Sequence, residues 1–287
     1  MVVAAIAFQE IESLNFEGLH NLFCELFQNL KFDASSELHI ILLDTFDSSI
    51  WLDRVLGRFY SISRDVLLAK NLHTMSITIL FGEYAKDNLR LDYLFIPAKE
   101  LVQEFDALNY DIFNQPRRER ELNLFPEKRN DCDEYAVSAL GGTFDHIHDG
   151  HKILLSIASF ITSTRIIVGV THQDLLLKKK YKEYLESFEK RCGSVRQFLN
   201  LLKPSLKVEI VPIKDVCGPT GTVPEIECLV VSRETVAGGD FVNKTRVEKG
   251  LPKLDICVVN VLGGDEEDGW KEKLSSTEIR KMLMHGI

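Results

Sequence analysis

Disulfide staples, membrane spans and an excess of positive charge are all missing from this chain. Its six cysteines (Cys24, Cys132, Cys192, Cys217, Cys228, Cys257) include no C-x-x-C pair. That excludes a zinc ribbon or a dense disulfide framework, and it suits reduced thiols in the cytoplasm, the expected location. No apolar run approaches the ~20 residues that a bilayer-spanning helix needs, so no membrane partner is expected. The apolar first eight residues follow no cationic stretch and read as a first β-strand rather than a signal peptide. Lys and Arg number 34 against 43 Asp and Glu, a net charge of -9. A protein that neutralises a nucleic-acid backbone carries a basic face, so no nucleic acid is expected as a partner. One small phosphorylated ligand is still compatible with that balance, because a few local cations and helix N-termini suffice for it. Internal repeats, low-complexity tracts and the Gly-x-x-x-x-Gly-Lys-Ser/Thr phosphate loop are also absent.

What remains is 287 residues, 45% hydrophobic and 27% charged, ample for one large or two ordinary soluble domains. Residues 114–133 are polar, highly charged and hold Pro116 and Pro126, which marks a linker. We therefore expect an N-terminal α/β domain over 1–113 and a second α/β domain over 134–287. In the first, strands are predicted at 2–8, 38–43, 77–81 and 93–96. Phe16, Leu19, Leu22, Phe23, Leu26, Phe27 and Leu30 form a one-sided helical stripe between the first two. No phosphate-binding glycine loop or histidine pair occurs there, and its role is not legible. In the second, strands are predicted at 135–140, 165–171, 208–212, 228–232 and 255–261. Helices are predicted at 151–161, 178–202 with a break near Gly193, 240–248 and 277–284. Such alternation implies a doubly wound parallel sheet covered by helices, with ligands outside the carboxyl ends of the strands.

The segment Gly141-Gly142-Thr143-Phe144-Asp145-His146-Ile147-His148-Asp149-Gly150-His151 lies at such a strand end and opens a helix. A glycine turn there lets backbone N–H groups and the helix dipole face a phosphate. His148 and His151 can donate to phosphate oxygens and stabilise charge developing on them. Taken alone, the segment also admits a polar turn that happens to contain histidines. A third reading is a metal site on His146, His148 and His151, although the His-Glu-x-x-His pattern of zinc hydrolases is missing. Phosphate chemistry is the favoured reading. Ser275-Ser276-Thr277-Glu278 is a capping-box pattern before the last helix, whose start can seat phosphates as well.

Gly-Gly-Thr-Phe-Asp-x-x-His-x-Gly-His after a strand resembles the H-x-G-H nucleotidylyltransferases, and Ser275-Ser276-Thr277-Glu278-Ile279-Arg280 resembles their second signature. Gly-Thr-Phe-Asp is similar to the phosphopantetheine adenylyltransferases. Ser232-Arg233-Glu234-Thr235, with Gly238-Gly239 and Val242-Asn243-Lys244, resembles their eukaryotic and archaeal branch. The resemblance covers roughly 132–287. It implies a Rossmann-like fold and transfer of the adenylyl group of ATP to 4′-phosphopantetheine, giving dephospho-coenzyme A and pyrophosphate in coenzyme A synthesis. The alternatives are another phosphorylated acceptor, such as nicotinamide mononucleotide or a phospho-alcohol, and a non-catalytic nucleotide-binding scaffold.

The roles implied by the resemblance are as follows. Thr143 orients the incoming phosphate, and His148 and His151 hold the ATP phosphates, with His151 contacting the transition state. Lys179, or its neighbour Lys178, meets the substrate phosphate together with Arg233. Gly142, Thr143, Phe144, Ser275, Ser276 and Thr277 complete the ATP site, and Arg280 lies one turn further on. His146 is expected at the surface. Mg2+ is expected with ATP. Asp145 and the Asp265-Glu266-Glu267-Asp268 cluster are not assigned as its ligands, since magnesium usually keeps water and substrate oxygens. With no phosphate loop in the chain, a separate dephospho-coenzyme A kinase is the expected next enzyme and a conceivable partner.

Overall fold

The structure is a computed structural model that describes residues 1–28, 30–118, 130–260 and 274–286. Its first half comprises β1 (Val3–Phe8), α1 (Phe16–Leu26), β2 (Glu37–Leu42), α2 (Ser49–Ala69), β3 (Ser76–Phe81), β4 (Leu91–Ile96) and β5 (Ala107–Ile112). Its second half comprises β6 (Tyr135–Gly142), α3 (Asp149–Phe160), β7 (Thr162–Thr171), α4 (Phe188–Leu202), β8 (Lys207–Ile213), β9 (Cys228–Ser232), α5 (Val236–Glu248), β10 (Asp255–Val259) and α6 (Ser276–Met284).

Each half builds a five-stranded sheet, in the orders β3-β2-β1-β4-β5 and β10-β9-β6-β7-β8, and all neighbouring strands are parallel. Numbered within its own half, each sheet has the same order: third, second, first, fourth, fifth. The central strands β1 and β2 read as continuous apolar runs because they are buried on both faces. Both sheets are therefore doubly wound, and each has a switch point beside its first strand.

The halves are not separate bodies. Helix α2 starts at an N-cap, where Ser48 accepts from the Trp51 amide, and it buries side chains around most of its circumference. An amphipathic surface helix buries one stripe. This one is covered further because it also packs against α3 of the second half. One apolar cluster runs from Phe8 and Phe59 through Phe81 to Phe160 and Val168, and the Phe81 and Phe160 rings meet at 6.5 Å.

The described ends of 114–133 are docked as well. Asn15 donates to the Pro116 carbonyl and Arg118 to the Ser13 carbonyl, both at 2.9 Å, and the Gln115 side chain bonds the Gln9 backbone. Asp131 accepts from both the amide and the hydroxyl of Ser49. The acidic cluster 265–268 and the end of the predicted strand 255–261 lie outside the described residues.

One expected element differs and one strand is additional. Residues 178–187 are not helical: short 3-10 turns at Gln173–Leu176 and Lys182–Tyr184 precede α4, which then runs through Gly193 unbroken. Ser187 caps α4 by accepting from the Lys190 amide, and Tyr181 sits in the left-handed region at φ 56. The lysine run has no apolar stripe to bury, so it stays exposed on a loop. β5 has no sequence signal, because as an edge strand it is almost wholly exposed.

Candidate active site

The switch point of the second sheet opens between β6 and β9. β6 pairs with β7 as far as Gly142↔Val170, but with β9 only as far as Leu140↔Val230. The last two residues of β6 thus part from β9 and leave a cavity of about 320 Å³, lined by Gly141, Gly142, Gly169, Thr171, Ser232 and Gly239 among others. A side chain at Gly142 would put its Cβ 3.1 Å from the Phe144 ring, a tight contact where the chain folds back on itself.

The turn that follows is strained. Phe144 and His146 both have positive φ, 51 and 43, a conformation that non-glycine residues hold only when the surroundings impose it. Three contacts impose it. The Phe144 ring is fully buried against His151, 5.2 Å between centroids. Asp145, also fully buried, accepts from the Glu186 amide at 2.9 Å and forms an ion pair with Arg280. Arg191 donates to the Thr143 carbonyl at 2.7 Å. The Phe144 side chain therefore belongs to the core beneath the turn. His146 corrects an expectation, for it is no loose surface group. Its Nε2 meets the Tyr184 carbonyl at 2.7 Å and its amide donates to Glu186.

His148 is the N-cap of α3, and its carbonyl accepts from the Lys152 amide. One turn on, the His151 ring lies over it with centroids 3.9 Å apart. Burial pushes the His148 imidazole down to about 4. Burial, then the neighbouring His148, then the Lys179 ammonium push His151 well below the ordinary histidine range. Both rings are thus neutral near pH 7 and can each donate one N–H. Among the described residues, His151 Nδ1 has no hydrogen-bond partner.

Depressed histidines have a consequence for stability. An unfolded chain takes up their protons first as pH falls, so the stabilisation is complete above about 6.5 and is lost as pH drops towards the folded value. For His148, the fall from 6.5 to about 4 corresponds to about 3 kcal/mol. Thermal unfolding of the ligand-free protein should therefore show a Tm that declines between about pH 6.5 and 4. His148→Gln should flatten that decline. An identical slope in the variant would mean that other groups cause it.

The second signature reaches the same edge. Ser275 and Glu278 form the expected capping box at the start of α6. Ser276 Oγ donates to the Asp145 carbonyl at 2.8 Å, across 131 residues. Arg280 is 2% exposed. It holds the Asp145 carboxylate, the Lys180 carbonyl at 3.0 Å and Thr277 Oγ1 at 3.1 Å. Asp145 thereby ties together the turn after β6, the start of α6 and the lysine loop. A metal role for it is spent on Arg280, and no cluster of three His, Cys, Asp or Glu suited to an ion occurs among the described residues. The hydroxyls of Ser275, Ser276 and Thr277 all have partners within the protein, which leaves the first backbone amides of α6 for a ligand.

The structure therefore brings together Gly142, Thr143, the backbone of Phe144, His148, His151, Lys179 and Ser275 to Thr277. Lys178 is exposed on the same loop as Lys179, but only Lys179 acts on His151. Arg233 is exposed at the carboxyl end of β9, across the crevice from β7, where it opens a short turn capped by Ser232 and Thr235. Sequence reasoning missed Arg191, Glu186 and Arg64, which bind this turn or α3, and Lys152, which ties α3 to β3. No spacing rule connects residues so far apart in the chain.

A cytidylyltransferase-like family model matches residues 139–282. A phosphopantetheine adenylyltransferase of Saccharomyces cerevisiae is 50% identical over 88% of this chain and 84% of its own length. Enzymes of the same name from Methanopyrus kandleri and Pyrobaculum aerophilum are 39% and 34% identical over about half of this chain and 90% and 89% of theirs. With both signatures gathered on one sheet edge, the chain belongs to the cytidylyltransferase-like family, on the branch of the phosphopantetheine adenylyltransferases.

Proposed function

We infer that this chain transfers the adenylyl group of ATP to 4′-phosphopantetheine. A phosphate oxygen of the acceptor attacks the α-phosphorus, the bond from that phosphorus to the β-phosphate oxygen breaks, and pyrophosphate leaves with its electron pair. The products are dephospho-coenzyme A and pyrophosphate. The observation that carries this reading is the Asp145 junction, which holds two segments some 130 residues apart against one crevice. The name shared by the yeast and archaeal relatives supplies the acceptor.

The site chemistry supports the reading. A phosphate monoester has its second pKa near ~6, so the nucleophile is already ionised at neutral pH and needs no general base. Neutral imidazoles are suited to donating hydrogen bonds rather than to removing a proton. What remains is to align two anions that repel each other and to stabilise the transferring group. In this reading His151 and His148 donate to the ATP phosphates, Thr143 orients the acceptor, and the first amides of α6 seat the β- and γ-phosphates. Lys179 and Arg233 approach the acceptor phosphate from opposite sides of the crevice. Magnesium accompanies ATP as its counter-ion, carried on phosphate oxygens and water. None of the six cysteines, all among the described residues, forms a disulfide, which supports a reducing, cytoplasmic setting.

The test is to incubate the pure protein with ATP, magnesium and 4′-phosphopantetheine and to measure pyrophosphate. Release is expected with this acceptor, and Lys179→Ala should raise KM for it more than Lys178→Ala does. Release only with nicotinamide mononucleotide or a phospho-alcohol would overturn the acceptor. No release with any of them would favour a scaffold.

A further inference from the structure

We propose that Arg64, on α2 of the N-terminal half, is a positioning residue for this reaction, because it locks Asp149 and so sets the pose of the histidine mouth of α3. The proposal rests on the adenylyl-transfer reading for its kinetic arm only.

Arg64 is 3% exposed and grips both oxygens of Asp149, Nε to Oδ2 at 2.7 Å and Nη2 to Oδ1 at 2.8 Å. The rest of its guanidinium is fixed from its own half, where Nη1 donates to the carbonyls of His73 at 3.1 Å and Met75 at 2.9 Å. Asp149 is the first residue of α3, between His148 and His151. A carboxylate there suits the helix dipole but places negative charge at the spot where phosphates must approach. Pairing it with Arg64 turns it inward and neutralises it.

A second tie lies one turn on. The buried Lys152 ammonium donates to Ser76 Oγ at 2.9 Å, the Ile77 carbonyl and Thr78 Oγ1, so the start of α3 is held against β3 as well. Arg64, Ser76, His146, His148, Lys152 and Glu186 help to line one cavity of about 370 Å³ between the halves. The charged groups that act on His148 are Asp149 and Lys152 from α3, Arg64 from α2 and Asp145 from the preceding turn, and its ring also lies against His151.

A buried ion pair adds little net stability over well-packed apolar side chains, so stability is a weak reason for its presence. What a forked, bidentate pair adds is a fixed orientation. At the carboxyl edge of the first sheet the Gln9 to Asn15 segment is tied to 115–118, while the N-terminal half reaches the histidine mouth through Arg64 and through Ser76 to Thr78. The contribution of the N-terminal half to catalysis therefore runs through α2 and β3 into α3.

The full-length wild type is compared with Arg64→Met, Arg64→Lys and the double variant Arg64→Met/Asp149→Leu. Tm, kcat, KM for ATP and the pH at which the His148 ring titrates by NMR are measured for each. Arg64→Met is expected to lower kcat roughly 100-fold, the scale of a small misplacement of reacting groups, with a smaller change in KM. His148 should titrate at higher pH, because the unpaired carboxylate beside it favours imidazolium. Arg64→Lys keeps the charge without the fork and should fall between the two. The double variant removes both charges and should return the His148 titration to its wild-type pH, but it should not recover kcat, because the fork that orients the start of α3 is still missing.

A lowered Tm in Arg64→Met with kcat within about threefold of wild type and an unmoved His148 would reduce the pair to a structural tie and overturn the proposal. If Arg64→Met does not fold, wild-type kcat in Arg64→Lys overturns it in the same way. A wild type that releases no pyrophosphate sinks the adenylyl-transfer reading instead, while the His148 titration still decides the latch.

Discussion

His151→Ala is expected to lower kcat by about 10³-fold, roughly 4 kcal/mol, while ATP binding weakens far less. The reason is the state in which the fold holds this ring. Burial and two cationic or potentially cationic neighbours keep it neutral, so it is a hydrogen-bond donor of fixed direction rather than a surface charge. Its position against His148 and Phe144 leaves little room to rotate. A preorganised donor does most for the species in which charge is redistributed at phosphorus, and less for ground-state ATP. Single-turnover rates and equilibrium ATP binding, measured on the same variant, separate the two. A loss confined to KM would assign His151 to uniform binding, and a loss under tenfold in kcat would remove it from the transition state.

The largest stability effect is expected at Arg280. Arg280→Met should destabilise the protein by about 3–5 kcal/mol, because it leaves the fully buried Asp145 carboxylate without its cation. The loss reaches further than one pair. Arg280 also holds the Lys180 carbonyl, so α6 and the lysine loop lose their common anchor. Asp145→Asn/Arg280→Met should recover part of the stability, since no unpaired charge is then buried. It should not recover activity in full, because the neutral pair no longer clamps the start of α6 to the turn. Urea unfolding of the two single variants and the double variant tests this as a cycle. Additive effects would mean that the two residues do not act as a pair.

The histidine mouth was legible because it is local. A strand, two glycines and a helix start follow one another within 141–151, and each has its own short-range signature. The capping box was legible for the same reason, since Ser275 and Glu278 are one turn apart. The lysine loop was misread as helix. Its charged residues keep a helix-compatible composition, and only the absence of a surface to pack against decides otherwise. Phe144 was assigned to the nucleotide because its motif faces one, and its ring supports the turn from beneath. The single strongest gap was α2. No helix is predicted between 43 and 77, and nothing local shows the second half that buries the remaining faces of this one.

By itself, then, the sequence determined the alternation of strands and helices, the two signatures, and the chemistry those residue types allow. Tertiary structure alone decided that Asp145 belongs to Arg280 and Asp149 to Arg64, pairs 135 and 85 residues apart. The physical reason is range. Dihedral preferences, caps and hydrophobic periods act over a few residues and leave a trace in the chain, whereas a buried charge can be matched to its partner only once packing has brought two distant segments out of water together.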